Sequence, residues 1–133
     1  VNIYSSEMLL QKGFLAKIFS IFAKNNISID LVSVSEVSVS VTLDNTEGLP
    51  KVILELSKFS KVSIFEDFGM VSLIGGGITD SMTNIKNIFN VLDKKRILIK
   101  MISLGATNIN ISIVLRSKQV EMAVKALHRA LLQ

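Results

Sequence analysis

The sequence predicts an α+β fold made of two consecutive units of the same kind. Short apolar segments with the period of a strand alternate with segments that have the period of a helix, and this order starts again halfway along the chain. The chain has 133 residues, of which 49% are hydrophobic and none is cysteine. This is enough to bury a core, and it leaves no disulfide framework and no thiolate metal site.

The first unit has the order βαββαβ, which is that of a ferredoxin-like domain. Its predicted elements are a strand at Val1–Ser5, a helix at Phe14–Asn25, strands at Ile27–Ser35 and Val37–Leu43, a helix from Leu49, and a strand at Lys61–Glu66. Ser6–Lys12 is predicted to be a loop. On the first helix, the apolar residues Leu15, Ile18, Phe19 and Phe22 form one face.

The second unit repeats the first residue by residue. Adding 70 to Ile27 and Ile29 gives Ile97 and Ile99, and after Gly105 the offset becomes 72. Its predicted elements are strands at Met70–Ile74, Ile97–Leu104 and Asn108–Leu115 and helices at Ser81–Lys94 and Lys118–Leu132. We therefore expect domains at 1–68 and 69–133, of which the second lacks its last strand. That strand must come from elsewhere, or one sheet edge stays open.

A candidate ligand site lies in the first unit. Gly13 precedes the first helix, whose start has free N–H groups that favour an anion. Regular alternation on the next strand places Ser28, Asp30 and Val32 on one face, and we expect Asp30 to lie near the helix start. Because aspartate is depleted in strands, a carboxylate here indicates a function. An anion cradle beside a fixed carboxylate suits a zwitterion such as an amino acid.

Other features indicate no catalytic or metal site. His128 is alone on the last helix, and Gly75–Gly77 lacks the lysine and hydroxyl that follow a phosphate loop. Glu66 and Asp67 are adjacent and are expected to be solvated turn residues.

The charge and the hydropathy pattern indicate neither a nucleic-acid surface nor a membrane segment. The net charge of +4 comes from scattered lysines, and only 6% of residues are aromatic, too few for RNA stacking on the sheets. With no membrane span and no signal peptide, we expect a cytoplasmic protein. A chain that begins directly in a strand suggests a fragment of something longer.

Four sequence segments resemble the C-terminal regulatory region of monofunctional, lysine-sensitive aspartate kinases. They are GFLAKIF, ISIDLVSVSEVSVSVTLD, KMISLGATNINISIVL and VKALH, and the resemblance covers essentially the whole chain. It implies two ACT domains in tandem, with the second sheet completed by a strand upstream of the first. The kinase domain, which would use ATP and Mg²⁺, lies outside this sequence, so no catalytic residue and no cofactor is expected within it.

The resemblance implies feedback inhibition, with lysine bound to the first ACT domain at a homodimer interface. The effector-binding positions that it implies are Met8, Gln11, Gly13, Phe14, Leu15, Ser28, Ile29, Asp30, Ser35 and Glu36. Some relatives have serine at the position of Gln11. In the second unit, Ser28 and Asp30 become Leu98 and Lys100, so we expect one effector per chain and a structural role for that unit.

Two alternatives stay open at this point. Threonine and S-adenosylmethionine are effectors of related regulators, so the sequence leaves the effector among these and lysine. A free-standing ACT-type regulator that binds an amino acid and controls another partner would have the same sequence features.

Overall fold

The computed structural model describes residues 1–78, 81–106 and 110–132, and it divides the chain into two compact units. The first unit is Val1–Phe65, and the second begins at Glu66. Each unit is a sheet with helices packed on one face, as the repeat predicts. Among the described helices, none is long and apolar enough to cross a membrane.

The first unit is a four-stranded antiparallel sheet with two helices. In chain order its elements are β1 (Asn2–Tyr4), α1 (Phe14–Lys24), β2 (Ile29–Val34), β3 (Ser38–Leu43), α2 (Leu49–Ser57) and β4 (Lys61–Ser63). The sheet order is β2-β3-β1-β4, so β2 lies at an edge. The segment predicted to be a loop contains a short 3₁₀ helix at Ser6–Leu9, and β4 ends three residues earlier than predicted.

Apolar residues of the sheet and both helices form the core of the first unit. Ile3 pairs with Val39 and Val62, and the inward strand residues meet Ile18 and Phe22 of α1. The buried face of α1 is slightly rotated from the predicted one, since Phe14 and Ile21 are buried while Leu15 is partly exposed. The first residue of α1, Phe14, is therefore part of the core.

The second unit has the order βαββα among its described residues. Its elements are β5 (Phe68–Ile74), α3 (Met82–Lys94), β6 (Met101–Leu104), β7 (Asn110–Arg116) and α4 (Val120–Leu131). The sheet has three strands in the order β5-β7-β6, which agrees with the prediction that the second unit lacks its last strand. β5 begins earlier than predicted and includes Phe68, and β6 begins four residues later. The strand predicted at Asn108–Leu115 corresponds to β7, and its first two predicted residues, Asn108 and Ile109, lie outside the described residues.

The ends of α1 and α3 confirm the repeat at the level of the backbone. Asn26 and Arg96, which are 70 residues apart, have φ values of 56° and 54°. The next residue closes the helix in both units, because Ile27 N–H donates to Phe22 O at 3.0 Å and Ile97 N–H donates to Leu92 O at 2.9 Å. Both helices therefore end in the same left-handed turn.

Candidate functional site

The start of α1 is open to a ligand. Its N-cap is Gly13, with φ at 79°, and a Cβ added there would meet nothing within 4 Å. Glycine offers no side chain to cap the first-turn N–H groups, so these remain available to an anion. Phe14 is buried, and its ring meets the edge of Phe59 with centroids 5.7 Å apart. This contact anchors the open end of the helix to the core.

The loop before α1 is held against the β2–β3 hairpin. Ser5 N–H donates to Val37 O at 2.9 Å, and the Ser5 hydroxyl accepts a hydrogen bond from Glu7 N–H. Met8 packs against the core, whereas Gln11 is exposed and donates from Nε2 to Glu7 Oε2 at 3.2 Å. The loop thus brings Met8, Gln11 and Gly13 to the hairpin end of the sheet.

The hairpin supplies Ser35 and Glu36 at this same end. Ser35 N–H donates to Ser38 O at 2.8 Å, and the two serine hydroxyls are 2.7 Å apart. Both Ser35 and Glu36 are exposed. The loop, the start of α1 and this turn form the hairpin-end cluster, which contains Met8, Gln11, Gly13, Phe14, Leu15, Ser35 and Glu36.

The remaining site residues, Ser28, Ile29 and Asp30, form a separate cluster at the start of β2. The prediction that Asp30 lies near the start of α1 is wrong. The helix has 11 residues and so runs back along the sheet for about 16 Å before β2 begins. Ser28–Asp30, which we call the strand-start cluster, therefore lies at the end of the sheet where α1 finishes.

A bulge in β2 shapes the strand-start cluster. Ile29 pairs with Leu43 and Val32 pairs with Val41, so two residues of β2 lie opposite the single residue Thr42. This places Val32 on the same face as Ile29, and the predicted sharing of a face by Asp30 and Val32 is wrong. A bulge changes the alternation because it inserts one extra residue into one strand.

Asp30 lies in this bulge, and the carboxyl of Asp44, just after β3, is a close neighbour of its carboxyl. Desolvation raises the pKa of Asp30 above its usual value of 3.8, and the charge of Asp44 and a hydrogen bond from its side chain add to this rise. Two carboxylates this close favour a cation beside them. The charge of the strand-start cluster therefore suits an ammonium group, and the uncapped N–H groups at the start of α1 suit a carboxylate.

Sequence reasoning did not place Asp44 beside Asp30. A usable signal was the spacing of apolar residues on β2, which changes parity between the pair Ile27 and Ile29 and the pair Val32 and Val34. Counting across the hairpin from that change would have placed Asp44 beside Asp30.

The second unit lacks these groups at the equivalent positions. Leu98 replaces Ser28 and is 83% exposed, while Lys100 replaces Asp30. Val114 replaces Thr42, and it is buried. Among the described residues, no group of three or more histidine, cysteine, aspartate or glutamate side chains could hold a metal ion.

Comparisons with known proteins agree on one family. A family model for the ACT domain matches residues 1–50 and 71–131. Aspartokinase 1 of Arabidopsis thaliana, a chloroplastic protein, is 39% identical over 98% of this chain, which covers 24% of that relative. The chain thus spans about a quarter of the length of this curated relative.

Solved structures give the same result. Aspartokinase III of Escherichia coli, in complex with lysine and aspartate, superposes with a TM-score of 0.82 at 35% identity. The match covers 99% of this chain and 30% of that protein. A chain from Porphyromonas gingivalis W83, described as a C-terminal regulatory domain of aspartate kinase, has a TM-score of 0.83 at 32% identity. The match covers 99% of this chain and 89% of that one.

Proposed function

Because the chain belongs to the ACT-domain regulatory regions of aspartate kinases, we propose that it is the effector-sensing module of such a kinase and binds lysine between two copies of its first unit. The observation that carries this proposal is the division of the site residues between two ends of one edge strand. One end offers donors for a carboxylate, and the other offers carboxylates for an ammonium group.

A two-fold pairing of the first units would unite the two clusters. The clusters are separated by the length of β2, which has six residues and so spans about 20 Å, far more than one amino acid. β2 lies at the sheet edge, and an edge strand can pair with a second copy running in the opposite direction. Such a pair puts the strand-start cluster of one chain beside the hairpin-end cluster of the other.

The surface along this edge supports the same arrangement. Val34 is 49% exposed on β2, and Leu10 of the neighbouring loop is 90% exposed. Val32, Leu9 and Leu15 add further exposed apolar area around them. Apolar residues grouped along an unpaired strand edge mark a surface that a partner covers.

The charges in the combined site favour lysine over threonine. Asp30 would lie near Glu36 of the partner subunit, so each of the two sites would contain acidic groups from both chains. Lysine has two ammonium groups and threonine has one. The start of α1 would receive the effector carboxylate, since helix N-termini favour anions.

Inhibition follows if lysine binds one dimer arrangement better than another. The effector then shifts the equilibrium toward that arrangement by its difference in affinity for the two. In the intact protein, the favoured arrangement would hold the kinase domain inactive and slow the ATP-dependent phosphorylation of aspartate. E. coli aspartokinase III in complex with lysine and aspartate is described as the T-state, and this supports the assignment.

Isothermal titration of the chain with lysine, threonine and S-adenosylmethionine tests the effector. We expect lysine to bind more tightly than the other two, with one lysine per chain, because the second unit has Lys100 where the first has Asp30. Equal affinity for lysine and threonine would contradict the assignment. Two lysines per chain would contradict the structural role of the second unit.

Mixing two variants that bind lysine poorly tests whether each site contains residues from both chains. Asp30→Ala removes the carboxylate at one end of β2, and Gly13→Val strains the helix start at the other end, since valine disfavours a positive φ. Each variant alone should bind lysine poorly, whereas an equimolar mixture that exchanges subunits should recover tight binding in its mixed dimers. The mixture binding no better than its two components would show that each site belongs to one chain.

A further inference from the structure

The loop before α1 is joined to the rest of the hairpin-end cluster through one buried serine. Ser5 is 7% exposed, and it is one of two polar residues that are buried in the described parts of the chain. Its N–H donates to Val37 O at 2.9 Å, and its carbonyl oxygen accepts a hydrogen bond from Met8 N–H at 3.2 Å. The backbone of Ser5 thus connects the loop with the turn between β2 and β3.

The hydroxyl of Ser5 extends this connection along the loop. It accepts a hydrogen bond from Glu7 N–H at 3.3 Å, which makes Ser5 the N-cap of the 3₁₀ helix at Ser6–Leu9. The first N–H groups of a helix have no partner within it, and a serine at the N-cap supplies one. Glu7 in turn accepts a hydrogen bond from Gln11, which belongs to the predicted effector site. A line of hydrogen bonds therefore runs from the buried hydroxyl to Gln11.

The second unit uses a serine cap in a different place. Gly75 stands at the equivalent position, and the described residues after it, 76–78, form a turn and no 3₁₀ helix. Ser81 caps α3 itself, because its hydroxyl accepts a hydrogen bond from Thr83 N–H at 3.1 Å. In the first unit the serine caps the loop, and the start of α1 at Gly13 has no side-chain cap. The first unit thus combines a capped loop with an open helix start.

We propose that Ser5 is a positioning residue for the effector site, because its hydroxyl holds the capped turn that sets Met8 and Gln11 beside the hairpin. The inference rests on the proposed function, in which these two residues contact the effector. Ser5 acts through the loop, since it is itself buried. Without the hydroxyl, Glu7 N–H loses its partner and the turn opens more often. The effector then binds less tightly, in proportion to the fraction of molecules in which the turn is closed.

Ser81 provides a matched control in the second unit. It is also a serine N-cap whose hydroxyl accepts the N–H two residues later. Ser81→Ala therefore removes the same kind of cap from the unit that lacks the proposed site. Both alanine variants should unfold at lower urea concentrations, because each loses a cap. A merely structural role of Ser5 would lower the stability of the fold and leave the affinity for lysine unchanged.

Isothermal titration with lysine compares the unchanged chain with three variants. Ser5→Ala should weaken lysine binding about three- to tenfold, which corresponds to a turn that is closed in about a third to a tenth of the molecules. Ser5→Thr keeps the hydroxyl and should stay within about twofold of the original affinity, as should Ser81→Ala. An affinity of Ser5→Ala equal to that of the unchanged chain, or an equal loss in Ser81→Ala, would overturn the proposal.

A second pair of variants covers the case in which Ser5→Ala fails to fold. Threonine and valine have nearly the same shape and differ by the hydroxyl. Ser5→Val should therefore bind lysine about three- to tenfold less tightly than Ser5→Thr does. Equal affinities of these two variants would overturn the proposal as well.

Hydrogen exchange without effector separates this inference from the proposed function. In Ser5→Ala, the Glu7 and Met8 amides should exchange at least about threefold faster, because the turn that protects them opens more often. Ser81→Ala should leave both rates unchanged. Unchanged exchange of the Met8 amide in Ser5→Ala would overturn the role of Ser5. If the unchanged chain binds no lysine while the Met8 amide responds, the proposed function fails and the role of Ser5 in holding the loop stands.

Discussion

The two units have the same backbone plan but different outward sheet faces. In the first unit this face is polar, with Asn2, Ser33, Ser38, Ser40 and Ser63. In the second unit it contains the apolar residues Met70, Ile74, Met101 and Val114. Hydroxyls bond between neighbouring strands on both faces, as Ser40 does with Asn2 and Ser72 with Ser112, but only in the first unit does a carboxylate on the edge strand lie near a second carboxylate at a strand end. The same fold thus carries different surface chemistry in the two units, so the site proposed for the first unit does not follow from the fold alone.

Three pairs of equivalent positions account for the difference. Ser28 corresponds to Leu98, Asp30 to Lys100 and Thr42 to Val114. The first two pairs change the charge and polarity at the start of the edge strand, and the third removes a hydroxyl that accepts a hydrogen bond from Leu31 N–H. A duplicated domain can thus keep its core residues while a few changes on an outward face remove the groups that we propose to bind the effector.

Exchanging the charged members of these pairs for alanine gives the largest expected effect. Asp30→Ala should weaken lysine binding about 10- to 100-fold, since a hydrogen bond to a charged group contributes roughly 1.5–3 kcal/mol. Lys100→Ala, the matched control in the second unit, should leave both the affinity and the stoichiometry nearly unchanged. Isothermal titration measures both quantities.

Circular dichroism of Asp30→Ala provides the necessary check. Asp30 is exposed, so its truncation leaves no cavity and the fold should persist. Unfolding of this variant would make Asp30 a structural residue. Equal losses of affinity in Asp30→Ala and Lys100→Ala would remove the functional distinction between the units.

The sequence predicted the order of elements and the repeat because both depend on apolar periodicity. Ile18 and Phe22, and their equivalents Ile88 and Leu92, are buried as the helical period indicates. The predicted βαββαβ plan and its truncated second copy are confirmed. Periodicity is reliable here since the helices pack on one face of each sheet, so the core residues of each helix lie on one side of it.

The arrangement of the site was harder to predict because it depends on geometry beyond periodicity. The pattern assigned Asp30 to a face, but the length of α1 decides at which end of the sheet it lies. The bulge at Asp30 and Leu31 shifts the pairing of β2 by one residue, and a prediction from regular alternation cannot include such a shift. Asp44 lay in a predicted turn, and its role follows only once the strand register is known.

A smaller effect on stability is expected from substituting Asp44, which is not among the site residues predicted from the sequence. The folded state holds the Asp30 proton more tightly than the unfolded chain, because desolvation and Asp44 raise the pKa of Asp30. The contribution of Asp30 to the free energy of unfolding is complete below pH 3.8. It is lost as the pH rises through the higher pKa of the folded state. Asp44→Asn should therefore stabilise the effector-free protein near neutral pH, by less than about 1 kcal/mol since the pair is exposed.

Urea unfolding at pH 3 and pH 7 measures this effect. The gain from Asp44→Asn should appear at pH 7 and vanish at pH 3, where Asp30 is protonated in both states. Glu47→Gln is the matched control, since it removes an exposed carboxylate from the turn after β3 without a neighbour at Asp30. An equal gain at both pH values would show that the two carboxylates do not interact.

The smallest expected effect compares the two helix ends. Asn26 and Arg96 both have a positive φ near 55°, a conformation that asparagine tolerates better than arginine does. Arg96→Asn should therefore stabilise the second unit by about 0.5 kcal/mol, and Arg96→Gly by about as much, since glycine relieves the strain but makes the unfolded chain more flexible. The reciprocal change Asn26→Arg should destabilise the first unit by a similar amount. Urea unfolding of the three variants gives these differences directly, and a loss of stability in Arg96→Asn would mean that the arginine side chain stabilises this turn by more than its backbone strain costs.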